Sequence, residues 1–172
     1  LWIDSTDFQK EKGPETTTKT SDWSYKLNRP GSRFTILRDG NGAILHVWGG
    51  YSPKIHDGNF TELMADWMEE NLRGAGIFGD QHYEWGKKNM KNVDFYTPIR
   101  KPNSHKRKKN GEDLVLLTKA QEEYNENIRR VRSRVETPFA WIKQKFKAVD
   151  SPLNEGVEQQ KYSVYFSFGI HN

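Results

Sequence analysis

Four acidic residues, Asp4, Asp57, Asp80 and Glu136, each stand where a carboxylate can be aimed at one point. Asp4 lies in an apolar strand opening, Leu1-Trp2-Ile3-Asp4-Ser5-Thr6. Asp80 ends a second short apolar run, Ala75-Gly76-Ile77-Phe78-Gly79-Asp80. Glu136 sits in a basic helical pattern that runs from Asn127 through Arg129, Arg130, Arg132 and Arg134. Two strand-borne aspartates and one helix-borne glutamate can hold a pair of Mg²⁺ ions about 3.5–4 Å apart, the arrangement that drives in-line attack on a phosphodiester. Acids gathered among so many cations point to an enzyme that cuts nucleic acid.

Each acid also has a structural role open to it. Asp80 can cap a following helix, and Asp57 stands at the start of a helical pattern where Asp is a favoured N-cap. Glu136 can pair with its arginine neighbours along a helix face. Asp4 is hardest to explain that way, because an unpaired carboxylate in an apolar strand is costly to bury and needs a cation. His56 and His82 flank acidic positions and read as local hydrogen-bonding groups, since Mg²⁺ and Mn²⁺ prefer oxygen ligands.

The cations fall into two groups. Lys106, Arg107, Lys108 and Lys109 lie in a loop that also holds Arg100 and Lys101. That cluster reads as a solvated loop, a nuclear-import patch or a phosphate-contacting arm. Arg132 and Lys143 belong to the basic surround of Glu136, and the outward members of that group can track a DNA backbone. The aromatic residues read mostly as core, with no stacking platform of the kind used on single strands.

The elements that must position these residues are legible as patterns. Leu1–Phe8 reads as a strand. Two apolar runs, Arg33–Arg38 and Ala43–Trp48, are joined by Asp39-Gly40-Asn41-Gly42, a strong hairpin signal. From Asn59, Phe60, Leu63, Met64, Trp67 and Met68 draw a helical stripe. Ile77-Phe78 and Val93–Ile99 read as strands. Thr118 and Gln121 form a capping box for a long helix with Tyr124, Ile128, Val131, Val135, Ile142 and Phe146 facing inward. Pro138 predicts a break, with Thr137 capping and Pro138 at the first position of a new helix. Val157–Ile170 reads as a closing helix. This order predicts a mixed α/β sheet with helices on its faces, Asp4 and Asp80 on adjacent strands.

The chain has 172 residues, which suits one domain. Its aromatic share of 13%, with six Trp, is enough for a real core despite a mean hydropathy of −0.95. A net charge of +4 and a pI near 9.2 favour a polyanion partner only weakly. There are no cysteines, which excludes disulfides and thiolate metal sites. No run of 18 apolar residues occurs, so no membrane span or membrane partner is expected. The start at Leu1 rather than Met suggests a piece of a longer protein.

Taken together, several strings resemble one family. They are Ile3-Asp4-Ser5-Thr6-Asp7-Phe8, Trp23-Ser24-Tyr25-Lys26-Leu27, and Gly49-Gly50-Tyr51-Ser52-Pro53-Lys54-Ile55-His56-Asp57. They are followed by Gly79-Asp80-Gln81-His82-Tyr83, Tyr124-Asn125, Arg134-Val135-Glu136-Thr137-Pro138-Phe139, Trp141-Ile142-Lys143 and Gly169-Ile170-His171-Asn172. In this order the strings resemble the DDE transposase domain of the Harbinger type and its bacterial insertion-sequence relatives, over nearly the whole chain. Ser5 stands where the family often has Gly or Ala. Gln81-His82 stands where Lys-Gly or Ser-Gly is commoner, so a different turn is expected after Asp80.

The resemblance implies a ribonuclease-H-like fold spanning residues 1–172 as one catalytic domain, with a basic loop at about 100–111. The family's N-terminal helix-turn-helix region is absent from these residues. It implies DNA cleavage and strand transfer dependent on Mg²⁺ or Mn²⁺, with Asp4, Asp80 and Glu136 as catalytic ligands and Asp57 as a further acidic position. The partners implied are transposon-end and target DNA, a separate DNA-binding protein and a second copy of the chain. The implied location is the nucleus in a eukaryote, the favoured case, or the cytoplasm and nucleoid in a bacterium. The alternative is a domesticated, catalytically silent relative that binds DNA or protein in the nucleus.

Overall fold

The structure is a computed structural model, and it describes residues 1–12, 17–100, 116–132, 137–145 and 157–171. The strands are β1 (Trp2–Gln9), β2 (Trp23–Ser24), β3 (Arg29–Arg38), β4 (Ile44–Tyr51), β5 (Gly76–Phe78) and β6 (Asp94–Tyr96). The helices are α1 (Asp57–Asn71), α2 (Glu84–Asn89), α3 (Lys119–Arg132), α4 (Thr137–Lys145) and α5 (Val157–His171). A single 3₁₀ turn, Gln81–Tyr83, precedes α2. The strands form one mixed six-stranded sheet in the order β2-β3-β1-β5-β6, with β4 also paired to β3. β1 is antiparallel to β3 and parallel to β5, so it lies at the junction of the two halves. This is the mixed α/β sheet with flanking helices that the sequence predicts.

Alternation along the strands sorts the core into two layers, because successive side chains leave opposite faces. Ile3 and Leu37 pack with Phe60, Met64 and Met68 of α1 and with Ile77, Tyr83 and Phe95. Phe8, Phe34 and Ile36 pack on the other face with Phe139 and Ile142 of α4 and with Val164 and Phe168 of α5. Asp4 shares its parity with Phe8 and so belongs to the face covered by α4 and α5. Ser5 and Asp7 belong to the α1 face.

Local chemistry fixes the joints. The Asp39 carboxylate accepts hydrogen bonds from the backbone N–H groups of Asn41 and Ala43, and Gly42 takes a φ of 103°, which closes the β3–β4 hairpin. A Cβ on Gly49 would meet the Phe34 ring at 1.8 Å, so only glycine lets β4 lie against that ring. At α3 the Thr118 N–H donates to the Gln121 side chain, and the Gln121 N–H donates to the Thr118 hydroxyl. That is the reciprocal box read from the sequence.

Four expectations need correction. α1 begins at Asp57 rather than Asn59, and its N-cap is His56, so Asp57 stands in the first turn instead of capping it. The strand expected over Val93–Ile99 covers only Asp94–Tyr96. β2, the 3₁₀ turn and α2 are additional to the predicted elements. Two residues assigned to apolar stripes are exposed, Leu63 of α1 and Val131 of α3, while Ile128 is buried. Two helices bracket the predicted break, α3 ending at Arg132 and α4 starting at Thr137. Residues 133–136 between them, and with them Val135, lie outside the described residues, as does Phe146.

Candidate active site

The central strand carries the first acid. Trp2 of β1 pairs with Phe78 of the parallel β5, so Asp4 and Asp80 each stand two residues beyond a paired position on neighbouring strands. Gly79 makes the exit from β5 narrow enough: a Cβ there would come within 2.9 Å of the Tyr83 ring and 3.1 Å of Ile3. The chain then turns at once. The His82 N–H donates to the Asp80 carboxylate at 2.7 Å, so Asp80 caps the 3₁₀ turn while facing the same space as Asp4. Asp80 thus caps the turn and borders the cavity at the same time.

A cavity of about 420 Å³ opens at this edge. Its walls are Asp4, Ser5, Thr6, Lys26, Arg33, Asp57, Asp80 and Phe139. Three of the four sequence-predicted acids therefore share one space, and they come from three separate elements. Glu136 lies outside the described residues. Phe139, three positions after it and near the start of α4, borders the same cavity.

Beneath the carboxylates lies Tyr83, fully buried. Its hydroxyl shares a 2.7 Å hydrogen bond with the Ser5 hydroxyl, which shares another of 2.6 Å with Thr35. Burial pushes the Tyr83 phenol well above its ordinary pKa, and the negative charges of Asp57, Asp4 and Asp80 push it further. It stays neutral behind Ser5, which borders the cavity.

A cation stands at the rim that sequence reasoning did not single out. Asp7 and Arg33 are direct cross-strand partners on β1 and β3. The Arg33 Nε donates to the Asp7 carboxylate at 2.8 Å and Nη2 donates to it at 3.3 Å. The Ser24 hydroxyl donates to Asp7 as well, at 2.7 Å. Asp7 is 1% exposed. The remaining arm of Arg33 donates to the Ile55 carbonyl at 2.7 Å and reaches Asp57 at 3.4 Å. Burial alone would lower the Arg33 pKa, but the bond to Asp7 and the charges of Asp7 and Asp57 raise it above its ordinary value. The β3–β4 pairing shifts register between Arg33 and Phe34, next to the point where the Arg33 side chain borders the cavity. A signal for this pair existed in the sequence: Asp7 is a second acid in the same apolar strand as Asp4. The cost of burying a carboxylate, argued for Asp4, is met more severely at Asp7, whereas Asp4 is half-buried.

Asp57 feels opposed influences. Burial raises its pKa, Arg33 lowers it, the negative Asp80 raises it, and His82 and Ser5 lower it; the net shift is upward from 3.8. A carboxyl with a raised folded pKa contributes most to stability when protonated and loses that contribution as pH rises through the folded value. In EDTA at pH 7, Asp57→Asn is therefore expected to melt above the unsubstituted chain. The gap should close below about pH 4, where an unfolded Asp is protonated too. An equal difference at both pH values, read by thermal melting, would refute this.

The donor set fits a hard cation. Three carboxylates and the hydroxyl-bearing Ser5 and Thr6 border the cavity, and oxygen donors of this kind suit Mg²⁺ or Mn²⁺. Among the described residues, no three His, Cys, Asp or Glu side chains are drawn together closely enough to hold an ion as they stand. Like charges repel, so Asp4, Asp57 and Asp80 must close in to share one.

The basic positions are distributed differently. Lys106, Arg107, Lys108 and Lys109 lie outside the described residues. Arg132 closes α3. Lys143 projects from α4 to β1, where its ammonium donates to the Asp7 carbonyl at 2.9 Å and lies 5.1 Å from the centre of the Phe8 ring. Among the described residues, no helix is long and apolar enough to cross a membrane.

Residues 1–162 match the family model described as the transposase DDE domain. No curated protein matches the chain at a significant level.

Proposed function

We propose, for a chain that belongs to the transposase DDE domain family, that these residues form a ribonuclease-H-like catalytic domain of the Harbinger type, cutting DNA and joining its ends by a two-metal route. The family places the chain among metal-dependent transposases and nucleases that act on DNA. The observation that carries the finer reading is the shared cavity of Asp4, Asp57 and Asp80, with Phe139, three positions after Glu136, also on its wall.

In this reading Asp4, Asp80 and Glu136 hold the metal and Asp57 is a further ligand. Divalent cations, when bound there, supply charge neutralisation and activation of the attacking oxygen at a phosphodiester. The chain's own residues do the positioning. β1 and β5 fix Asp4 and Asp80 from adjacent parallel strands. The buried Tyr83 and Thr35 hydroxyls hold Ser5 at the cavity wall. Arg33 holds Asp57 at the rim. Lys106–Lys109, Arg132 and Lys143 are the proposed phosphate contacts, though Lys143 already spends one donor on the Asp7 carbonyl. A separate DNA-binding protein, a second copy of the chain and, in a eukaryote, a nuclear site of action complete the proposal.

The test is a supercoiled plasmid incubated with the chain, joined to a DNA-binding domain if needed, in Mg²⁺, Mn²⁺ or EDTA. Nicking is expected with either metal and none in EDTA. Glu136→Gln is expected to bind DNA as well as before while nicking falls by a factor of about 10²–10³, comparable to losing one preorganised charge-stabilising group. DNA that is bound but uncut in both metals would replace this reading with that of a silent binding module.

A further inference from the structure

A second recess, of about 410 Å³, adjoins the carboxylate cavity. It is lined by Tyr25, Lys26, Arg33, Pro53, Lys54, Ile55 and His56, and Lys26 and Arg33 border both spaces. The two are opposite in character. One gathers three carboxylates. The other contains no acidic residue and carries lysines, a histidine and an aromatic ring. Its volume falls within the range of about 300–1,000 Å³ usual for ligand-holding sites.

Tyr25 is the unusual member. It lies directly after β2 and, at 74% exposed, is the most exposed aromatic side chain among the described residues. The ring is held in place rather than left loose. Its hydroxyl donates to the Thr18 carbonyl at 3.3 Å, and Lys54 donates to the same carbonyl at 2.9 Å. The Lys54 ammonium stands 5.9 Å from the centre of the Tyr25 ring. An aromatic face fixed in solvent beside two lysines has the features that grip single-stranded nucleic acid: a ring for a base, cations for the flanking phosphates. Paired DNA keeps its base faces in the stack, so such a ring serves an unpaired nucleotide.

We propose that this recess is a subsite for an unpaired nucleotide of the DNA strand whose phosphodiester lies in the carboxylate cavity. The base stacks on Tyr25. Lys54 and Lys26 meet the phosphates on either side, and Lys26, at the border of both spaces, marks the path between them. The choice of DNA rests on the function proposed above, but the subsite itself does not depend on the acids. Arg33 is committed to Asp7 and Ile55 and contributes the wall.

The test is binding of a fluorescein-labelled single-stranded oligonucleotide to the chain in EDTA, where no cutting interferes. A blunt duplex of the same sequence is the comparison. Tyr25→Ala is expected to weaken single-strand binding about tenfold, a typical loss for one stacked base, while Tyr25→Phe keeps it. Lys26→Ala and Lys54→Ala should each reduce the salt dependence by about 0.7 in the log–log slope, the value for one phosphate on a single strand. Duplex binding should be indifferent to Tyr25→Ala. The proposal is overturned if Tyr25→Ala binds the single strand normally, if it weakens strand and duplex alike, or if the unsubstituted chain binds no single strand. Failure here with metal-dependent nicking intact removes the subsite and leaves the enzyme. Tyr25-dependent binding without nicking removes the enzyme and leaves the subsite.

Discussion

Mn²⁺ or Mg²⁺ is expected to raise the melting temperature of the chain by about 5–10 °C, and Asp4→Asn to remove the gain. The size follows from linkage. A ligand at about 100 times its Kd stabilises the state that binds it by about 2.7 kcal/mol, and for domains of about 150–250 residues each kcal/mol moves the midpoint by about 2–4 °C. The ion binds only where folding has brought β1, β5 and the start of α1 to one cavity, so the whole effect appears as folding stability. Asp4→Asn keeps the shape of the side chain and loses its charge. In EDTA the variant should melt at or above the unsubstituted chain, because one of three facing carboxylates no longer repels the others. Asp80→Asn should lose the metal gain as well, with some cost from weakening the cap on the 3₁₀ turn. If Asp4→Asn and the unsubstituted chain gain equally from Mn²⁺, the ion binds elsewhere and the role proposed for Asp4 is wrong.

Much of this site could be read from the sequence because its parts are local. Asp4 and Asp80 were placed on adjacent strands from two short apolar runs, and β1 and β5 are indeed neighbours. The Asp39–Gly42 turn and the Thr118–Gln121 box are read correctly for the same reason: each needs only residues within four positions of one another. Asp57 was recognised as standing at a helix start, but the choice between capping and first-turn positions depends on one residue's dihedral angles, and His56 took the cap. The short elements escaped. β2 is two residues long, and the turn after Asp80 is a single 3₁₀ turn, too short for any periodicity to register. Val131 has the spacing of an inward residue, yet it is exposed, because spacing cannot say what an element packs against. The sequence reads its aromatic residues as mostly core, and only the fold shows that Tyr25 stands in solvent. The Asp7–Arg33 pair was missed for a deeper reason: the partners are 26 residues apart, and strand register alone brings them face to face.

That pair carries the largest stability effect expected among the described residues. Asp7 is 1% exposed and the Arg33 side chain 15%, so neither charge has much water to fall back on. Removing one partner of a buried pair leaves the other uncompensated, at a cost of about 3–5 kcal/mol. Asp7→Ala is therefore expected to lower the melting temperature by about 6–20 °C at this chain length. Arg33→Ala should do the same, and also free Asp57 and the Ile55 carbonyl, which the guanidinium holds together. Replacing both charges at once, with Asp7→Asn and Arg33→Gln, should cost less than the two single losses added, since no orphan charge remains. The two single variants should then separate at the site. Asp7→Asn leaves a cation beside Asp57, so its metal-linked gain in melting temperature should persist from a lower baseline. Arg33→Gln takes away the group that holds Asp57 at the rim, and that gain should change. If both variants lose stability but respond to Mn²⁺ as the unsubstituted chain does, the pair braces β1 against β3 and has no part in placing Asp57.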